Sequence, residues 1–388
     1  MAGRVAHIPT THRLEWARSR RLAGDRRAVL VLAPVVILVV IGVGALSSAS
    51  SVLALEIQQN SDNLFYVKRQ LAFIIAGVVA LFVAARIPYR LYSRHALIIL
   101  CLSAGSLIAT LMVGSVRNGA KSWLEFGSFT LQPSEFAKFA VVAFLATALT
   151  RKEQWLGVFS HFFWPVAASL GLVGALVMAQ RDFGTAMIIG SAGLVVLLAS
   201  AAPLRFVLGS AGIASILAVT AAMAVPYRRR RLLSFLDPMA DRLDSGLQVV
   251  QGLVALQTGG LFGVGLGASR ARWMFLPNAH SDFIFAIIGE ELGFAGSVSV
   301  VILFMAFAFA GVLISLRAPD RFGRLLAIGI VAWITVQAFI NIGGVVGVVP
   351  VTGVPLPFIS AGGSAMLVNL AAMGVLVNIA RTAGKGTS

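Results

Sequence analysis

Six ionisable side chains stand at or inside long apolar runs: Glu135, Lys138, Asp182, Asp282, Glu290 and Glu291. A charge in such a setting is costly, so each is a candidate for chemistry. Glu135 and Lys138 are spaced i, i+3 and share a helix face. Pro133 just before them suits a first helical turn, whose dipole end favours an anion. Two readings of the pair stand: a self-neutralised couple that makes burial tolerable, or a lysine poised over a phosphate or a catalytic carboxylate. Asp282 opens a long apolar run, where a partly desolvated carboxylate is a usable proton acceptor. Its alternative is an N-capping aspartate. Glu290 lies eight residues on, about 80° round a helix and ~12 Å along it, so its role is separate from that of Asp282. The bland alternative for Glu290 is a partner for a helix terminus or a neighbouring polar group. Arg181 and Asp182 occupy a tight turn and read as an interfacial ion pair. The stretch 343–364 carries Pro350, Pro355 and Pro357 among many glycines and cannot be helical throughout. Ser360, Gly362, Gly363 and Ser364 there offer N–H groups to a ligand, with Ser364 capping the next helix; otherwise it is a capped loop.

The elements that must hold these groups are membrane spans. The chain has 388 residues, 58% of them hydrophobic and 12% charged, against about 25% charged in a soluble domain. Mean hydropathy is +0.91. A disordered chain and an ordinary soluble enzyme are excluded. The single Cys101 excludes an internal disulfide and a cysteine metal site. Ten apolar runs are long enough to be spans: 28–48, 70–85, 95–114, 134–150, 164–180, 183–200, 206–226, 283–315, 325–348 and 364–380. Backbone must be satisfied within each run, so the fold class is all-α, a polytopic membrane protein of about ten helices. The run 283–315 exceeds one straight span and is expected to tilt or to project beyond the bilayer. The uncharged stretch 246–268 is read as surface-lying or re-entrant. As an eleventh span it would reverse Arg317, Arg321 and Arg324. The first apolar run is longer than a cleaved signal's and is read as a retained span.

Net charge is +16. With both termini cytoplasmic, inner segments hold 18 Lys and Arg and outer segments 12. This bias sets the orientation, and the basic excess says nothing of nucleic acid. The organisation is then a basic tail at 1–27, a membrane domain at 28–380 with a large outer loop near 227–282, and a short tail at 381–388. Glu135, Lys138, Asp182 and Asp282 fall near outer helix ends, which points to an outward-facing polar cavity. Arg228–Arg231 reads as a lipid-phosphate patch. The run Gly263-Val-Gly-Leu-Gly lacks a βαβ setting and carries no nucleotide signal. There is no Walker A motif, zincin motif or histidine cluster.

Four stretches carry a family resemblance: NGAKSWLEFGSFTLQPSEFAK (118–138), QRDFGTA (180–186), GLGASRARWMFLPNAHSDFIFAIIGEELG (265–293) and GVVPVTGVPLPFISAGGS (347–364). In these the chain resembles the SEDS family of bacterial cell-wall proteins, FtsW and RodA. Residues 48–52, 64–70 and 287–291 and the basic N-terminal extension look more like FtsW. Arg181, Ser281 and Ala361 stand where the family commonly has proline, threonine and tyrosine. The resemblance implies a peptidoglycan glycosyltransferase that polymerises lipid II at the outer face of the plasma membrane, with undecaprenyl pyrophosphate leaving. The family's catalytic residue falls on Asp282, and its paired cavity lysine and glutamate on Lys138 and Glu135. Functionally implicated positions fall on Arg69, Trp123 and Glu290. Implied partners are a class B penicillin-binding protein transpeptidase, other divisome membrane proteins and the nascent glycan strand. The FtsW likeness implies work at the division septum; a RodA-like elongation polymerase, a lipid II flippase and a scaffold for the transpeptidase are the alternatives. The pyrophosphate needs cations, for which Arg69, Lys138, Arg270 and Arg272 are placed. A divalent ion, Mg or Mn, would be shared with the substrate phosphates, since no all-protein cage is visible. The lipid tail needs a groove between helices with small-residue flanks.

Overall fold

The computed structural model describes residues 10–57, 65–117, 119–127, 129–225, 229–230, 235, 246–269 and 281–385. Each of the ten apolar runs forms a helix. They are α1 (Thr10–Ile57), α2 (Phe65–Arg86), α4 (Ala96–Val113), α5 (Pro133–Arg151), the pair α6 (Phe159–Val166) and α7 (Leu172–Ala179), α8 (Phe183–Ala199), α9 (Leu204–Ala224), α11 (Ile284–Leu316), α12 (Arg321–Val345) and α13 (Gly363–Lys385). The pair α6 and α7 is one span joined by a π turn at Ala167–Gly171. Two shorter helices intervene, α3 (Arg90–Arg94) and α10 (Leu247–Gly259). Among the described residues nine helices are long and apolar enough to cross a membrane, and α8, with 17 residues, is the shorter tenth.

Helices α5, α12 and α13 form the centre of the bundle, with most of their surface covered by neighbours. Helix α9 is the outlier: only Val207 is buried. At one end of the bundle a three-stranded antiparallel sheet precedes α5, in the order β1 (Ser115–Arg117), β2 (Ala120–Phe126), β3 (Phe129–Leu131). Val116 faces Lys121 in the register, and Leu124 faces Leu131. This small sheet is an addition to the helical pattern expected from the apolar runs. At the opposite end the α2–α3 corner is locked by Tyr89, whose hydroxyl donates to Asp320 Oδ2 at 2.6 Å. Asp320 in turn caps α12 by accepting from Gly323 N at 2.7 Å. Burial, then the Asp320 carboxylate, pushes the Tyr89 hydroxyl above its ordinary pKa.

The long run near 283–315 is not one straight helix. It breaks at Gly293, which adopts φ 69° and ψ −165°. The break strands backbone donors and acceptors, which need partners when buried. They are met by the stretch read as surface-lying or re-entrant. Helix α10 runs beside the first part of α11 in the same direction. Gly252 of α10 is level with Phe283, and Gly259 is level with Gly289. The chain then turns back through the Gly-rich loop. Val264 N and Gly265 N donate to the carbonyls of Glu290 and Glu291 at 3.0 and 3.1 Å. Phe294 N and Ala295 N donate to the carbonyls of Gly260 and Leu261 at 2.8 and 3.1 Å. The segment is therefore an arm folded back against α11, with its irregular backbone clasped against protein.

Gly263 sits at φ +83°, and a Cβ there would lie 2.0 Å from the Glu291 carbonyl oxygen. Both backbone strain and overlap oppose any side chain. Gly263→Ala is expected to destabilise the protein by about 2–4 kcal/mol, read as a lowered melting temperature in detergent. An unchanged melting temperature would count against the clasp. Of the expected outer loop, Arg228, Arg231, Arg270 and Arg272 lie outside the described residues.

Candidate active site

The site is assembled at the end of the bundle that carries the sheet. Gln132 is extended (φ −108°, ψ 101°), and Pro133 opens the first turn of α5. Two side chains at this start meet Asp182: Gln132 Nε2 donates to Asp182 Oδ2 at 3.1 Å and Ser134 Oγ donates to the same oxygen at 3.2 Å. Asp182 Oδ1 accepts from Thr185 N at 3.1 Å and so caps α8. The ion pair with Arg181 expected from the sequence is thus replaced by a cap that fastens two helix starts together. Arg181 itself takes φ 65° in the turn. The positive ends of the α5 and α8 dipoles converge here, a setting that favours an anion.

One turn inside α5, Lys138 Nζ lies 2.6 Å from Glu135 Oε2, and both side chains are fully buried. Lys138 Nζ also donates to Gln337 Oε1 at 2.8 Å. Gln337 Nε2 passes the chain on to the Pro355 carbonyl at 2.9 Å. Neither carboxylate oxygen of Glu135 has a hydrogen-bond partner in addition to that ion pair. The geometry realises the self-neutralised couple. Direct contact of this amine with a phosphate would require the covering residues to move.

Asp282 is part-exposed at the mouth of α11, next to fully buried Phe283. The N-cap position of α11 falls to Phe283, so Asp282 stands one residue outside the cap expected as its alternative. A small pocket joins Asp282 to Asn341, Thr352 and Gly353. Asn341 Nδ2 donates to the Asp282 carbonyl at 2.9 Å and to the Val354 carbonyl at 2.8 Å. The preceding residue is held as well, since Ser360 Oγ donates to the Ser281 carbonyl at 2.5 Å.

Ser360 and Ser364 differ from the sequence reading. The Ser360 N–H is taken by the Leu356 carbonyl at 3.0 Å, its hydroxyl accepts from Leu356 N at 2.8 Å, and its carbonyl accepts from Gln70 Nε2 at 3.2 Å. It holds loops together and has no N–H left for a ligand. Ser364 is the second residue of α13 and does not cap it. Its hydroxyl accepts from Gln132 N at 3.0 Å and donates to the Thr130 carbonyl at 3.3 Å. Gly363 is a packing residue, because a Cβ there would lie 2.3 Å from the Phe73 ring. Gly362 has only ordinary contacts at its Cβ position.

Arg69 joins this network by donating from Nη2 to Thr130 Oγ1 at 2.6 Å. Trp123 lies half-buried on β2, in register with Ser115. Glu290 is buried well inside the bundle, where its Oε2 accepts from Ser269 Oγ at 2.5 Å. Its neighbour Glu291 accepts from Ser48 Oγ. The Glu290 carboxylate thus fastens the arm and that of Glu291 ties α11 to α1, both one or more turns from Asp282. Hydrogen bonds therefore link Arg69, the start of α5 and the residues around the start of α13, and tie the loop before α13 to the backbone beside Asp282. Among the described residues no three His, Cys, Asp or Glu side chains come together as a metal cage. Gln337, Asn341, Thr130 and Gln132 carry no charge and are not among the candidates read from the sequence. A polar pair at i, i+4 in an apolar run was the signal available for the first two.

The frame defines a class: a polytopic helical protein of the plasma membrane with a polar site at one end of its bundle. A family profile for FtsW, RodA and SpoVE, described as cell cycle protein, matches residues 28–385. The chain belongs to that family, the SEDS family. It is 40% identical over 356 residues to stage V sporulation protein E of Bacillus subtilis, covering 91% of this chain and 96% of the relative. It is 38% identical over 365 residues to a probable peptidoglycan glycosyltransferase FtsW of Geobacter metallireducens, covering 94% and 96%. Among solved structures it resembles a chain of a peptidoglycan synthase complex studied for the coordination of polymerization and crosslinking, with TM-score 0.72, 26% identity, and 90% and 96% coverage. It shares its fold with the rod shape determining protein RodA of Thermus thermophilus, with TM-score 0.67, 23% identity, and 90% and 95% coverage.

Proposed function

We propose that this protein is a peptidoglycan glycosyltransferase that polymerises lipid II at the outer face of the plasma membrane, in septal wall synthesis. The observation that carries the reading is the mouth of α11. There the backbone at Asp282 is anchored by Asn341 and the preceding carbonyl by Ser360, beside the convergent starts of α5 and α8. Asp282 acts as general base. It takes the proton from the acceptor sugar hydroxyl as that oxygen bonds the anomeric carbon of the donor. The bond from that carbon to the pyrophosphate oxygen breaks, and undecaprenyl pyrophosphate leaves with the electron pair. Arg69 and the helix N-termini offset its charge. Lys138 and Glu135 support the phosphate end of the site from below. Trp123 and Glu290 complete the set implied by the family, and Ser360, Gly362 and Gly363 shape the loop. A divalent ion, if used, takes its ligands chiefly from substrate phosphates and water.

An apolar groove of about 460 Å³ begins beside Leu131 and Pro133 and runs between α4, α5 and α13 to Tyr92. Its start at Leu131 and Pro133, which flank Gln132, fits it for the polyprenyl tail. The septal role and a class B penicillin-binding protein partner are supported by the FtsW relatives and by the likeness to a synthase complex.

The test is polymerisation of purified lipid II by the purified protein, with and without the transpeptidase. Glycan product that requires this protein is the expected result, and none with either preparation would sink the reading. Orientation is checked separately. Val116 on β1 is exposed. A cysteine there, in a Cys101→Ser background, is expected to react with an impermeant label in intact cells. Labelling only after lysis would reverse the topology.

A further inference from the structure

We propose that Asn341 is a positioning residue for Asp282, an inference that rests on the function proposed above. Asn341 is buried on α12 at 6% exposure, and Gln337 lies on the same face, one turn along, at 0%. The Asn341 amide donates two hydrogen bonds, to the carbonyls of Asp282 and Val354. Both partners are acceptors, which fixes the orientation of the amide and leaves no other chemistry for that nitrogen. The two carbonyls belong to the two loops that line the pocket at Asp282. Without a donor between them they would face each other as like dipoles. Gln337 makes the matching link one turn away, between Lys138 Nζ and the Pro355 carbonyl. One face of α12 therefore sets the spacing between the loop that carries Asp282, the loop before α13, and the buried lysine. The bond from Ser360 to the Ser281 carbonyl survives loss of Asn341, so the loop stays attached while its second anchor is gone.

The experiment compares Asn341→Ala and Asn341→Asp with the unaltered full chain in lipid II polymerisation. Each removes both donors, the second with little change of shape. A misplaced catalytic group loses turnover, so kcat is expected to fall about 10- to 100-fold. KM is expected to stay within about twofold. A structural control is Trp333→Phe, on the same face of α12, which removes the bond from Trp333 Nε1 to Asn369 Oδ1 at 3.1 Å. That variant is expected to melt lower with kcat preserved. Equal kcat losses in the control and the Asn341 variants would overturn positioning, as would a raised KM with normal kcat. Wild-type kcat in both Asn341 variants beside an inactive Asp282→Asn would overturn this inference alone. An active Asp282→Asn would overturn the reading beneath it.

Discussion

Asp282→Asn is expected to abolish glycan polymerisation while leaving the fold intact. The substitution is nearly isosteric and removes the proton acceptor. Its backbone carbonyl is held by Asn341, and that bond is indifferent to the side chain. Loss of a general base costs about 10²–10⁴-fold in rate, enough to remove polymer from a gel assay. The melting temperature and co-purification with the transpeptidase are the parallel readouts, and both should match the unaltered protein. Normal polymer from this variant would remove Asp282 from the chemistry. Loss of polymer together with loss of folding would mean the side chain is structural. The same experiment separates the enzyme from a scaffold that only recruits a transpeptidase, since a scaffold has no use for the carboxylate.

Lys138→Met is the second large effect, and it acts through Glu135. The pair is sealed in the bundle, and Glu135 has no hydrogen-bond donor beyond its lysine. Removing one member of a buried pair leaves a charge without compensation, which destabilises by about 3–5 kcal/mol. Gln337 Oε1 also loses its donor. Adding Glu135→Gln makes the site neutral and is expected to restore most of the melting temperature. Polymerisation is expected to return only in part, because methionine cannot replace the bond from Lys138 to Gln337 that ties α5 to α12. Full activity in the double variant would confine the pair to a structural role.

The spans were legible because a membrane helix declares itself by length and apolarity. The ends of α4, α5 and α12 fall within a few residues of their apolar runs. Pro133 announced the start of α5 for a local reason, its fit to a first turn. The break at Gly293 had no such sign. The run around it is uniformly apolar, and one glycine among many does not reveal its own φ. What makes the break stable is a loop some thirty positions earlier, and such a pairing leaves no trace in a local pattern. The site divided the same way. Asp282, Glu135 and Lys138 stood out as charges in grease. Asn341 and Gln337 did not, because neutral amides fit within an apolar average and their purpose lies in carbonyls of distant loops. Ser360 and Ser364 misled for the converse reason: their types suggest ligand donors and caps, whereas tertiary contacts had already claimed their hydroxyls.

The clasp at Gly293 joins two segments that are made at different times. Residues 246–269 leave the ribosome before residues 284–295, which supply the carbonyls and amides that close the loop. Until then the uncharged stretch lacks the partners that hold it in the finished protein. With Glu290, Glu291, Phe294 and Ala295 in place all four bonds can close. The arm is therefore completed from its C-terminal side, by four backbone hydrogen bonds whose partners all lie outside it.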